Sequence, residues 1–138
     1  MYKKIIKAAM GSLLSLSLAV AGFGMTADAK GKPTTPSNPL NASGRISIDS
    51  KSATATTTFS RPGTIKATAI VYYWSGKFRY SSQATNSNNI GGTSATAEKK
   101  VGGADVEGGM GKHHVTYGAT RWDDTTNVGT IYDDAIPQ

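Results

Sequence analysis

Thr64-Ile65-Lys66-Ala67-Thr68-Ala69-Ile70-Val71-Tyr72-Tyr73-Trp74 is the stretch whose reading decides the fold. Its apolar residues recur at every second position, the period of a strand rather than of a helix. Ile65, Ala67, Ala69, Val71 and Tyr73 share one face, and Lys66, Thr68, Ile70, Tyr72 and Trp74 share the other. The second half is apolar on both faces, which places the strand in the middle of a sheet. Ser75-Gly76 follows as the two-residue loop of a hairpin, with Lys77 to Gln83 as the return strand.

The same period extends in both directions. Upstream, Ile46 and Ile48 alternate with polar residues, as do Ala53, Ala55, Thr57 and Phe59, and Arg61-Pro62-Gly63 supplies a turn. Downstream, Asn86 to Gly92 reads as a polar loop and Thr93 to Val101 as a strand carrying Ala95 and Ala97 on one face. Gly102 to Gly111 reads as a glycine-rich mobile loop, Lys112 to Trp122 as one long strand, Asp123-Asp124 as a turn and Asn127 to Tyr132 as the last strand. The expected fold is therefore all-β: a small antiparallel β-sandwich of about seven strands, with a small β-barrel as the runner-up. Alanine and threonine dominate the strands, so the aromatic residues must supply much of the apolar burial.

The N-terminus has a different character. Lys3, Lys4 and Lys7 form a basic head, Ala8 to Thr26 carries no charge, and Ala27-Asp28-Ala29 offers small residues at an A-x-A cleavage site. That order is a secretory signal peptide over 1–29. The competing reading, a retained membrane anchor, is weakened by Gly11, Ser12, Ser15, Ser17, Gly22 and Gly24 within the run. Residues 30–43, with Pro33, Pro36 and Pro39, read as a disordered linker, and 44–138 as the β domain. Cleavage after Ala29 leaves 109 residues, enough for one domain. Residues 1–29 hold three lysines and Asp28, which leaves +4 of the chain's +6 on the mature protein. The expected location is extracellular, from a Gram-positive bacterium, with a mature form that does not span the membrane. The absence of cysteine excludes both a disulfide framework and a lipid-anchored form.

Catalytic signals are sparse: there is no GxSxG and no cysteine nucleophile, and the glycine-rich segment lacks the phosphate-loop pattern. The expectation is a protein that is not an enzyme and uses no cofactor or metal. His113 and His114, adjacent in a strand, point to opposite faces and cannot easily chelate one ion together. Asp123-Asp124 and Asp133-Asp134, read as flanking the last strand, are assigned to a turn and the tail. The candidate ligand-binding residues are Tyr72, Trp74, Phe78, Arg79 and Tyr80, an aromatic cluster with cations on two strands joined by a tight turn. Such a cluster binds sugars by stacking or anionic polymers by charge and stacking together.

The Phe78-Arg79-Tyr80 triplet resembles the aromatic-Arg-Tyr triplet of small secreted bacterial amylase inhibitors. Those proteins are shorter and disulfide-bonded, so no residue role carries over. The Ala/Thr/Tyr-rich pattern behind a signal resembles some small secreted bacteriocins of Gram-positive bacteria. The expected function is a non-enzymatic binding protein that recognises a cell-wall polymer or surface glycan, with no specific nucleic acid as partner. The first alternative is a bacteriocin-like antimicrobial or toxin protein, and the second a self-assembling extracellular matrix protein built edge to edge from Ala/Thr strands.

Overall fold

Thr64–Ser75 forms a single 12-residue strand, β5, flanked on both sides by partners. The computed structural model describes residues 17–18, 25–30, 39–88, 93–102 and 105–138. Among these the chain is all-β with no helix, arranged as two sheets that do not close into a barrel, so the barrel alternative fails. No helix of the described residues is long and apolar enough to cross a membrane.

The first sheet runs β1-β2-β3-β4-β7: β1 is Ser17–Leu18, β2 Met25–Lys30, β3 Ser43–Ile48, β4 Ser52–Thr58 and β7 Ser94–Lys100. The second runs β10-β6-β5-β8-β9, with β6 at Phe78–Asn88, β8 at Asp105–Tyr117, β9 at Thr120–Gly129 and β10 at Ile136–Pro137. All pairings are antiparallel except β10 on β6.

The period-two faces of the sequence become inside and outside. Ile65, Ala67, Ala69 and Val71 are fully buried, and they meet Ile46, Ala53, Ala55, Ala95 and Ala97 of the first sheet in one apolar cluster. Trp122 and Phe59 are its largest buried side chains, joined by Ile46, Ile48, Ile65, Val71, Val115 and Val128. The opposite, solvent side of the first sheet is a row of hydroxyls, with Thr56 and Thr96 directly opposed and hydrogen-bonded at 3.1 Å.

Several boundaries differ from the sequence reading, each for a physical reason. The hairpin loop is Gly76-Lys77, one residue later than Ser75-Gly76, because Gly76 takes the first central position with φ of 66°. A second glycine-first loop, Gly118-Ala119 with φ of 64° at Gly118, divides the expected Lys112–Trp122 strand into β8 and β9. Asp123-Asp124 therefore lies inside β9, and neither aspartate makes a turn. The expected last strand, Asn127 to Tyr132, keeps only its first three residues in β9, and Thr130 onward forms the tail. Asp105 to Gly111 is strand rather than mobile loop. Its glycines sit where the chain is crowded: a Cβ at Gly109 would strike Ile48, one at Gly111 Thr126, and one at Gly108 the backbone of Thr130. A bulge at Glu107 lets Tyr72 oppose Gly108 and Tyr73 oppose Val106, which turns Val106 onto the core. Of the expected Asn86–Gly92 loop, Asn86 to Asn88 continue β6 and 89–92 lie outside the described residues.

Most of the expected signal segment and linker, residues 1–16, 19–24 and 31–38, lies outside the described residues. Met25–Lys30 pairs along β3 over six positions, from Met25 opposite Ile48 to Lys30 opposite Ser43.

Candidate functional site

The solvent side of the second sheet holds two regions separated by the C-terminal tail. Ile70 and Tyr72, on that side of β5, are covered by Ile131, with Met110 and Ala135 packed alongside. The tail is pinned by β10 pairing Ile136 with Tyr80 and Pro137 with Ser81, and by the Gln138 amide donating to the Ser81 carbonyl at 2.9 Å.

At the hairpin end of β5 and β6 the five sequence-predicted residues do not form one surface. Tyr72 is 8% exposed, and its burial, with Asp133 nearby, holds its phenol above the usual range and so neutral. Arg79 opposes Trp74 across the strands and lies between two rings, its guanidinium carbon 4.5 Å from the Trp74 centroid and 4.3 Å from that of Tyr132. Asp134 approaches the same guanidinium at 3.7 Å. Arg79 is thus a cation held between aromatics, fastening the tail to the hairpin. Tyr80 points to the opposite side and stacks on Tyr73 with centroids 5.8 Å apart. Phe78, on that same side of β6 and two residues from Tyr80, is 58% exposed at the turn beside the exposed Lys77. The structure therefore brings Phe78, Tyr80 and Tyr73 together, and separately Trp74, Arg79 and Tyr132.

At the far end of the sheet lies an open groove of about 580 Å³ lined by Lys66, Thr68, Lys112, His114, Arg121, Asp123, Asp124 and Thr125, with His113 beneath. Counting back from the Gly118 turn pairs His114 with Asp123 and Thr116 with Arg121. His114 Nδ1 donates to Asp123 Oδ1 at 2.6 Å, and Nε2 is hydrogen-bonded to the Thr116 hydroxyl at 2.9 Å. Arg121 donates to Asp123 Oδ2 through Nε at 2.9 Å and Nη2 at 2.8 Å. Burial pushes the Asp123 carboxyl up, but the hydrogen bonds and charges of His114 and Arg121 outweigh it and hold the group below its usual value. This hydroxyl–imidazole–carboxylate chain has the connectivity of a proton relay. Arg121 draws on the same carboxylate, so the network fixes His114, Asp123 and Arg121 relative to one another.

His113 faces the other way and is 2% exposed. The Thr57 hydroxyl donates to the Lys66 carbonyl at 2.9 Å, so it accepts from His113 Nδ1, also at 2.9 Å. Nε2 then accepts from the Thr126 hydroxyl at 2.8 Å, and the ring stacks on Trp122. Burial lowers its pKa to about 4. Among the described residues no group of three His, Asp or Glu is placed to hold a metal ion.

Sequence reasoning missed the groove because it read Asp123-Asp124 as a turn. The signal that locates it is Gly118: a two-residue loop there fixes the register that sets Asp123 beside His114. No protein-family model matches the chain, and no curated protein or solved structure matches it either.

Proposed function

We propose that this chain is a secreted, non-enzymatic binding protein that recognises an extracellular or cell-surface glycan or wall polymer through the hairpin end of β5 and β6. In this reading residues 1–29 are a signal peptide and the two sheets form a β-sandwich that presents the hairpin. The observation that carries it is Phe78, a large apolar ring 58% exposed on the same side as the Tyr73–Tyr80 stack, with Lys77 at the turn. Aromatic surface kept in water has a cost that a ligand removes, and flat rings offer sugars a broad apolar contact. Trp74, Arg79 and Tyr132 brace this end from the other face, and Tyr72 anchors it from beneath the tail.

Co-sedimentation with isolated Gram-positive cell walls, at low and high salt, tests the reading. Pelleting should survive high salt and fall tenfold or more for Phe78→Ala, with Tyr80→Ala also reduced. Pelleting that vanishes in salt, or that Phe78→Ala leaves unchanged, rejects recognition by the hairpin.

A further inference from the structure

We propose that the groove on the solvent side of the second sheet is a separate binding site, for the phosphate groups of an anionic polymer, gripped by Lys66 and Lys112. The register sets the two lysines on neighbouring strands: Lys66 opposes His114, and Thr68 opposes Lys112. They are diagonal neighbours, with backbones about 7–8 Å apart. Both side chains are exposed on the same side of the sheet, and their four-carbon stems allow two ammonium groups to close on one tetrahedral oxyanion.

The groove's own carboxylates make no ion pair with these lysines. Asp123 is held by His114 and Arg121, and Asp124 Oδ1 accepts from the Thr125 backbone amide at 2.8 Å. Neither Lys66 nor Lys112 makes an ion pair among the described residues. Two like charges side by side repel each other. An anion seated between them turns that repulsion into attraction, and the tetrahedral oxygens of a phosphate, spread more widely than the two of a planar carboxylate, let both ammoniums approach one group.

Hydroxyls complete the donor set. Thr125 opposes Lys112 on β9, and Thr68 opposes it on β5. Thr68 shares a 2.9 Å hydrogen bond with Thr85, and when Thr85 donates, the Thr68 hydroxyl proton is left for a ligand. The His114–Asp123–Arg121 network walls one side and engages both oxygens of the carboxylate. A groove of about 580 Å³ lies within the range of roughly 300–1,000 Å³ usual for small-ligand sites. It is open along the sheet, so successive units of a polymer can enter and leave it, and each added charge raises occupancy. The site is distinct from the hairpin end: Lys66 and Trp74 are eight positions apart on β5, about 26 Å at 3.3 Å per residue, with the tail between them.

The test is titration of the purified full chain, by calorimetry, with linear inorganic polyphosphate, inorganic phosphate, a sulfated polysaccharide and neutral dextran. Two charge-matched double variants are compared: Lys66→Gln with Lys112→Gln, and, on the first sheet and its turn, Lys51→Gln with Lys100→Gln. Polyphosphate should bind more tightly per molecule than inorganic phosphate, and dextran should not bind. The Lys66/Lys112 variant should lose tenfold or more of the polyphosphate affinity and the Lys51/Lys100 variant twofold or less, with both retaining the wild-type circular dichroism. Equal losses in the two variants would reduce the effect to net charge and overturn the site. Absence of polyphosphate binding by the unmodified chain overturns it as well, and equal, Lys66/Lys112-dependent binding of the sulfated polysaccharide overturns the preference for phosphate.

Discussion

His113 sits between the sheets with both ring nitrogens bonded, one to Thr57 of the first sheet and one to Thr126 of the second. Its folded pKa of about 4 lies below the ordinary 6.5, so between those values the unfolded chain takes up a proton that the folded chain refuses. The neutral ring's contribution is complete above pH 6.5 and is lost as pH falls towards 4; below that both states are protonated and nothing further is lost. The displacement from 6.5 to about 4 corresponds to about 3 kcal/mol at 1.36 kcal/mol per tenfold step. Urea unfolding at pH 7.5, 5.5 and 4 should show this fall, and His113→Gln, weaker at pH 7.5, should have a shallower dependence; parallel pH curves would contradict the assignment. The glycines around the ring are tested the same way. A Cβ at Gly44 would enter the imidazole and one at Gly111 would meet the Thr126 hydroxyl, whereas one at Gly102 meets nothing. Gly44→Ala should lose about 1–3 kcal/mol by overpacking. Gly102→Ala should be close to neutral in the same denaturation assay.

At the scale of elements, the hairpin and the tail are one unit. Arg79 joins them through two rings and Asp134, and its side chain is only 20% exposed. Arg79→Ala should therefore cost about 1–2 kcal/mol, the upper part of the range for a cation held between aromatics. Arg79→Lys should recover part of that loss but not all, because an ammonium cannot lie flat between two rings. A melt in which Arg79→Ala matches the parent would show that the stack contributes nothing. The strands themselves were largely legible. Alternation placed Ile65, Ala67, Ala69 and Val71 on the buried face, and the doubly apolar end of β5 identified a central strand. What alternation could not supply was turn position and close approach. Asp123-Asp124 carries turn-forming residues, yet Gly118 has the positive φ, and the loop goes where the backbone conformation demands it. Gly108, Gly109 and Gly111 look like a flexible run, but their lack of side chains answers to Thr130, Ile48 and Thr126, all distant in sequence. The aromatic cluster was visible as composition, while its division into a buried Tyr72, a clamped Arg79 and an exposed Phe78 depended on the tail, whose sequence gave no such signal.

Across the whole molecule, the buried residues of the two core clusters among the described residues run from Ala42 to Ile131. Met25–Lys30 pairs along β3 over six positions and with the two-residue β1 on its other side, but a strand of six residues must be held by more than its ladder. Ordering six backbones costs about 6–12 kcal/mol at 1–2 kcal/mol each. The ladder bonds return roughly 0.5–1.5 kcal/mol each against water, and Thr26, whose side chain is described, is only half-buried. The ladder alone therefore stabilises a strand of this length little. With residues 1–29 read as the cleaved signal, Lys30–Gln138 should unfold cooperatively in urea within about 1 kcal/mol of the full chain, with the same near-ultraviolet signal from Trp74 and Trp122. It should also expose the Ser43–Ile48 edge that β2 covers, and an unpaired edge strand favours association. Sedimentation of the two forms over a concentration series measures that directly: the shortened chain should self-associate at concentrations where the full chain does not. A loss of several kcal/mol on removing 1–29 would instead make β2 an integral strand of the domain, and a signal peptide ending at Ala29 would no longer be tenable.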